Sequence, residues 1–218
     1  MNPIRKILLA GLVAGMTLPV SAESLDKLVP QAAEIFGRFK REEIVNMDLV
    51  KDAKGIVIIN VTGFAIGIGG SGGDGILMAR TENGWSGPVG ISTDGGTLGI
   101  DVGGTDNDIV ILLMNNGAVS RWASGEHFGS SSAQAVMGPK GGAAVDSTMK
   151  TRDFNVYIWN KGAKLGVNFG GFDVNISNES NANYYDKPLV SAKDILNGVA
   201  KVPDSKKDAL ARLYDLLK

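Results

Sequence analysis

The 218-residue chain contains no cysteine and a single histidine, His127. The first absence removes thiolate nucleophiles, disulfide staples and any lipid attached at a cysteine. Together the two leave the usual zinc ligand sets unfilled. Neither sign of charge is in surplus, with 22 basic against 23 acidic side chains. A general nucleic-acid binder is therefore excluded, since phosphate neutralisation needs clustered Lys and Arg. Aromatic residues make up only 6% of the chain. Long apolar runs are scarce too, and the one that stands out lies at the very start.

There, Arg5 and Lys6 precede "ILLAGLVAGMTLPV", and small residues follow at Val20 and Ala22. A charged segment, an apolar core and a small-residue cut site describe a secretory signal peptide removed before Glu23. The apolar run is short for a membrane span, which needs about 20 residues. Removing residues 1–22 leaves 196 residues at a net charge of −3. The expectation is one domain over 23–218, periplasmic or secreted, held by a hydrophobic core alone.

The start of that domain reads as helix. Leu25, Leu28, Val29, Ala32, Phe36 and Phe39 recur at helical spacing, with Glu34, Arg38 and Arg41 on another face. Pro30 predicts a helix start or a kink. "MDLVKDAK" predicts a second helix, capped by Asn46 and stopped at Gly55. From Gly55 to about Ser177 short apolar runs alternate with Gly, Asn and Asp clusters: "GIVIINV", "GILMAR", "GTLGIDV", "DIVILLM", "AVSRW", "FNVYIW", "KLGVNF" and "FDVNIS". Strands at such close spacing imply an antiparallel sheet, because parallel crossovers need ten or more residues. The tail returns to helix, with capping pairs Ser191/Asp194 and Ser205/Asp208 and a stripe of Leu210, Leu213, Tyr214 and Leu217. The predicted class is α+β: a curved antiparallel sheet or half-barrel, with short N-terminal and C-terminal helices packed on it.

Two ligand motifs overlap in "GIGGSGGDGIL". Gly67, Gly69 and Gly72 spell the dinucleotide fingerprint, and Gly69 to Leu77 spell the calcium β-roll nonapeptide. The first needs a following helix to receive a pyrophosphate, whereas the residues after Gly75 read as strand. The second needs stacked repeats, and only one copy occurs. A glycine-rich hairpin hinge, with Asp74 serving turn amides, fits better. Asp101, Asp106 and Asp108 carry hard oxygen ligands but lack the closing glutamate of a calcium loop, and read as a polar turn. His127 has Ser124, Ser130, Ser131 and Ser132 nearby but no G-x-S-x-G elbow. No catalytic residue, metal ligand or cofactor is assigned. Trp85, Trp122 and Trp159 fall at or near predicted strand ends, where they are core or rim residues or anchors at a lipid headgroup.

Taken in order, four segments resemble the SYLF domain family: "DAKGIVIINVTGFAIGIGGSGGDGILMAR", "NGWSGPVGI", "AVMGPKGGAA", and "KLGVNFGGFDVNIS" with "NANYYDKPLVSAKDILNG". The likeness spans roughly residues 35 to 217 and identifies an exported, bacterial-type member. It implies a module without enzyme activity whose relatives bind phosphoinositides and phospholipids, with fungal members also binding actin filaments. An exported chain does not meet actin. The family's amphipathic lipid-contacting segment corresponds to Ala32 to Arg41, which makes Phe36, Arg38, Phe39, Lys40 and Arg41 the candidate lipid-contact residues. The expected function is envelope-associated binding of phospholipid or another amphiphile at a membrane surface. The alternative is a periplasmic structural or partner-binding domain with no lipid ligand.

Overall fold

Ser24 opens the first helix: its hydroxyl accepts the Asp26 amide at 3.3 Å, which satisfies one of the orphan donors of a helix start. Helix α1 then runs Leu25–Arg41 and, as expected, buries Leu25, Leu28, Val29, Ala32, Phe36 and Phe39. Pro30 neither starts nor ends it. An interior proline removes one helix bond and crowds the carbonyl four residues back, a cost of about 3 kcal/mol that the burial of this apolar stripe outweighs. The computed structural model describes residues 23–66, 68–97, 103–125, 127–128, 134–137, 152–161 and 172–218. The leader, "KLGVNF" and most of "AVMGPKGGAA" lie outside the described residues, as do Asp101 and Ser130 to Ser132.

Helix α2 (Met47–Asp52) takes Asn46 as its cap, but Gly55 starts a strand instead of closing the helix. The strands are β1 (Gly55–Ile66), β2 (Ile68–Thr81), β3 (Gly84–Trp85), β4 (Val89–Thr97), β5 (Gly103–Leu113), β6 (His127–Phe128), β7 (Gln134–Met137), β8 (Phe154–Asn160) and β9 (Phe172–Ile176). They form one sheet in the order β6-β9-β4-β2-β1-β5-β8-β7, with β3 paired to the end of β2. All described pairings are antiparallel except β7 with β8. The edges β6 and β7 do not meet, so the sheet is open. The expected α+β class is the observed one.

"GTLGIDV" lies mostly outside the described residues as well; among the expected strands that are described, "AVSRW" is the exception and lies in helix α3 (Asn116–Ser124). Asn115 caps its start through the Ala118 amide at 2.8 Å, and Gly125 closes it with φ 73°. Ala118 and Trp122, four residues apart, are both buried, so the helical period competes with the alternating one and wins. After β9 come α4 (Asn178–Tyr184), α5 (Ala192–Leu196) and α6 (Asp204–Leu216). Ser191 caps α5 as expected, its hydroxyl accepting the Asp194 amide at 3.0 Å and donating to the Asp194 carboxylate at 2.8 Å. The second expected capping pair does not form, because α6 starts at Asp204, one residue before Ser205.

Register fixes which residues share a face. Ile56, Ile58 and Asn60 of β1 point toward the layer built by α1 and α4, with Gly90 of β4 lying against Leu25 and Ser180. Gly55 lies against Val119, so α3 covers the opposite face. Helix α6 packs on α1, not chiefly on the sheet: Lys40 donates to the Leu216 carbonyl at 2.8 Å, and Leu216 faces Gly37. A Cβ at Gly37 would sit 3.5 Å from Leu216 Cδ1, an ordinary contact. Gly37→Ala is therefore expected to stabilise the domain by up to about 1 kcal/mol through helix propensity, read as a rise in the urea midpoint.

Candidate binding groove

The expected lipid-contact residues are the first to place. Phe36 and Phe39 are 0% exposed and belong to the core. The apolar stripe that makes α1 a helix has used both rings, which leaves none for a surface. Burying a phenylalanine is worth about 1.5–3 kcal/mol, and moving it from core to acyl chain recovers nothing net. The two rings are thus corrected from lipid contacts to core residues. The cations beside them are occupied as well. Arg38 bonds Asp108, Lys40 the end of α6, and Arg41 Nη1 the Gly37 carbonyl at 3.3 Å.

Arg38 belongs to a polar row that crosses the sheet on the α1 side. Register aligns Asn175, Ser92, Asp74, Asn60, Asp108 and Trp159 on β9, β4, β2, β1, β5 and β8. Asp108 is fully buried. It accepts from Lys161 Nζ at 2.7 Å and Asn60 Nδ2 at 3.0 Å, and it pairs with Arg38 on its other oxygen. Asp106 accepts from the same Asn60 at 2.6 Å and the same Lys161 at 3.3 Å. The Arg38 guanidinium also lies 5.9 Å from the Trp159 ring centre. Two acids face two bases, so the cluster is closed on itself and fixes α1 to β5. This is the structural role of two aspartates that had suggested calcium.

An open site lies at the other end of β2. Thr81 accepts the Asn83 amide and donates to the Gly84 carbonyl, which fixes the β2–β3 turn. Ser86 accepts the Ala79 amide at 3.0 Å and donates to the Gly87 carbonyl, holding the segment after β3 against β2. Tyr214 of α6 donates to the Ser86 carbonyl at 3.0 Å and Tyr185 to the Pro88 carbonyl at 2.9 Å. Between this hairpin and the α5–α6 connection lies a groove of about 500 Å³. Arg80, stacked 3.9 Å from the Trp85 ring centre, forms one wall, and Asn197, Lys201 and Tyr214 help form the other. The Arg80 guanidinium is fixed by the Val50 carbonyl at 3.0 Å, and burial pulls its pKa below the ordinary value. Trp85 Nε1 is buried with no hydrogen-bond partner among the described residues. Val199, between the lining residues Gly198 and Ala200, is 68% exposed. The groove therefore offers two cations, Arg80 held by the Val50 carbonyl and Lys201 by the Gly198 carbonyl at 2.8 Å, beside the aromatic surfaces of Trp85 and Tyr214. Those are the parts needed to hold a carboxylate beside an apolar side chain.

The sequence assigned no binding role to Arg80, Lys201 or Tyr214, the first of which is more than 100 residues from the others. The signal was present in another form. "NGWSGPVGI" and the capped α5 segment, matched separately to one family, both line this groove, and Tyr185 of "NANYYDK" bonds the Pro88 carbonyl just beyond it. The tyrosines there titrate late. Burial raises Tyr184 and Tyr185 far above the usual range and pushes Tyr214 up to about 12. The folded state keeps protons that the unfolded state loses above pH 10, so stability is lost as pH rises past that point. Tyrosinate absorbance is expected to lag the free-tyrosine curve and then to rise together with loss of circular dichroism.

His127 lies on β6 opposite Asp173. Trp122 is core, while Trp85 and Trp159 are half-buried beside arginines. No helix among the described residues is long and apolar enough to cross a membrane.

Comparison with known proteins decides the family. The family profile described as "Ysc84: Las17-binding protein actin regulator" matches residues 94–218, more than half of the chain. The chain belongs to the Ysc84 (SYLF) family. Human SH3 domain-containing YSC84-like protein 1 is 28% identical over 205 residues, which cover 92% of this chain and 58% of that protein. Protein YSC84 of Saccharomyces cerevisiae is 30% identical over 186 residues, 81% of this chain and 39% of that protein. Yeast LAS seventeen-binding protein 3 is 28% identical over 205 residues, 87% and 44% respectively. The chain thus spans less than two thirds of the relatives it matches. Among these, the name LAS seventeen-binding protein 3 specifies a binding protein, and the family description specifies a Las17-binding actin regulator.

Proposed function

We propose that this Ysc84-family chain is a non-catalytic binding module, and that its ligand is an extended protein segment carrying a carboxylate next to an apolar side chain. It acts outside the cytoplasm after loss of residues 1–22. The observation that carries the reading is the groove in which Arg80, stacked on Trp85, stands across from Lys201 and Tyr214. The family description and the name LAS seventeen-binding protein 3 both specify a protein ligand, which supports a protein over a lipid. The burial of Phe36 and Phe39 removes the apolar half of the lipid face that the resemblance implied.

Selection from a random peptide display library on the immobilised chain is expected to enrich Asp or Glu beside an aliphatic or aromatic residue. Lys201 and Val199 are exposed, so changing them spares the core. The double variant Lys201→Glu/Val199→Asp is expected to weaken the selected peptides at least tenfold, about 1.4 kcal/mol. Vesicles of phosphatidylglycerol and phosphatidylcholine are expected to float without the protein. Equal peptide binding by the variant, or co-flotation with either vesicle, would overturn the proposal, the second in favour of the phospholipid reading.

A further inference from the structure

Asp74 is the one acid of the glycine-rich stretch, and the groove does not use it. It stands on β2 between Asn60 of β1 and Ser92 of β4, on the face toward α1. The Glu23 backbone nitrogen, the first described atom of the chain, lies 3.4 Å from Asp74 Oδ1. That nitrogen is positioned by bonds on the C-terminal side of its residue. The Glu23 carbonyl accepts from Ser180 Oγ at 3.1 Å, and the same Ser180 Oγ accepts the Leu25 amide at 2.9 Å. Ser24, between them, is the cap of α1. No ion pair joins Asp74 to a lysine or arginine among the described residues. The charged group that acts on it is the Glu23 carboxylate, which in turn has Lys27 Nζ at 3.8 Å.

We infer that Asp74 is the docking site of a new chain end: once the Ala22–Glu23 bond is cut, the α-ammonium of Glu23 pairs with the Asp74 carboxylate and locks the start of α1 onto the sheet. The cut is a peptidase-catalysed hydrolysis. Water adds across the amide, Ala22 leaves as a carboxylate, and the proton that the new acid releases is taken up by the Glu23 amine. An amide N–H at 3.4 Å is thereby replaced by a full positive charge with three rotatable donors, and charge-assisted bonds are shorter and stronger than neutral ones. In the uncut chain, burial raises the Asp74 pKa from its ordinary value, the Glu23 amide opposes this, and the Glu23 carboxylate adds to it. The uncut chain holds an uncompensated, partly desolvated acid, and the cut chain compensates it.

The signs are opposite in the two forms. A raised carboxyl pKa means stability is lost as pH rises above the ordinary carboxylate range. A lowered one means stability is present above that range and lost on acidification. The test compares the chain beginning at Glu23 with the same chain acetylated on that nitrogen, each with and without Asp74→Asn. In the free-amine chain the substitution is expected to raise the unfolding constant at pH 7 at least fivefold. In the acetylated chain it is expected to leave that constant unchanged or to lower it. Carboxyl carbon NMR needs no substitution: Asp74 is expected to titrate below the ordinary range with the free amine and above it when acetylated. The intact mass of exported protein should begin at Glu23. Identical Asp74 titration in the two forms, an equal effect of Asp74→Asn in both, or a mature chain starting elsewhere would overturn the inference.

Discussion

Gly75→Ala is expected to cost the domain about 3 kcal/mol, seen as a large drop in the urea midpoint at unchanged slope. A Cβ at Gly75 would lie 2.3 Å from the Ile58 carbonyl oxygen and 2.7 Å from Ile59 Cα, and at Gly73 it would lie 2.1 Å from the Asn60 oxygen. Those neighbours are backbone of the central partner strand and cannot rotate away. The only offset is the smaller unfolded-state entropy of alanine, which is worth at most about 1 kcal/mol. The clash wins by a wide margin. An unchanged midpoint would mean that β1 and β2 do not approach as closely as the register requires.

Arg38→Met is expected to cost about 3 kcal/mol, although the side chain was a candidate for contact with lipid. Its partner Asp108 is fully buried, and removing a cation leaves that charge with only Lys161 and Asn60. Arg38→Met combined with Asp108→Leu is expected to recover most of the loss, since apolar replacement of both members of a buried pair is often neutral. Thermal and urea unfolding of the two singles and the double complete the cycle. Independent, additive losses would show that Arg38 does not act through Asp108.

These two positions also show what could be read from the chain and what could not. The α+β class was legible because periodicity changes at Gly55 and changes back near Ser177, and burial of one face enforces each period. The opening stripe of α1 was legible for the same reason. Its meaning for function was not: an apolar helix face looks alike whether it meets a sheet or a membrane, and only the packing of Phe36 and Phe39 decides. The glycines of "GSGGDGIL" were read as a hinge with positive φ. Gly73 and Gly75 lie inside a strand and are glycine because two backbones nearly touch there, a long-range fact with no local signature. "AVSRW" misled because Ala118 and Trp122 satisfy both periods. The groove was invisible for a simpler reason, since Arg80 and Lys201 meet only through the docking of α5 and α6 on the β2–β3 hairpin.

Backbone chemical-shift mapping of the full chain, titrated with a peptide recovered from the library selection, bears most directly on how this protein binds. The expected perturbations fall on residues 80–87 and 196–202, the two walls of the groove, with α1 unmoved. Shifts centred on Phe36 to Arg41, or scattered without reference to the groove, would contradict it.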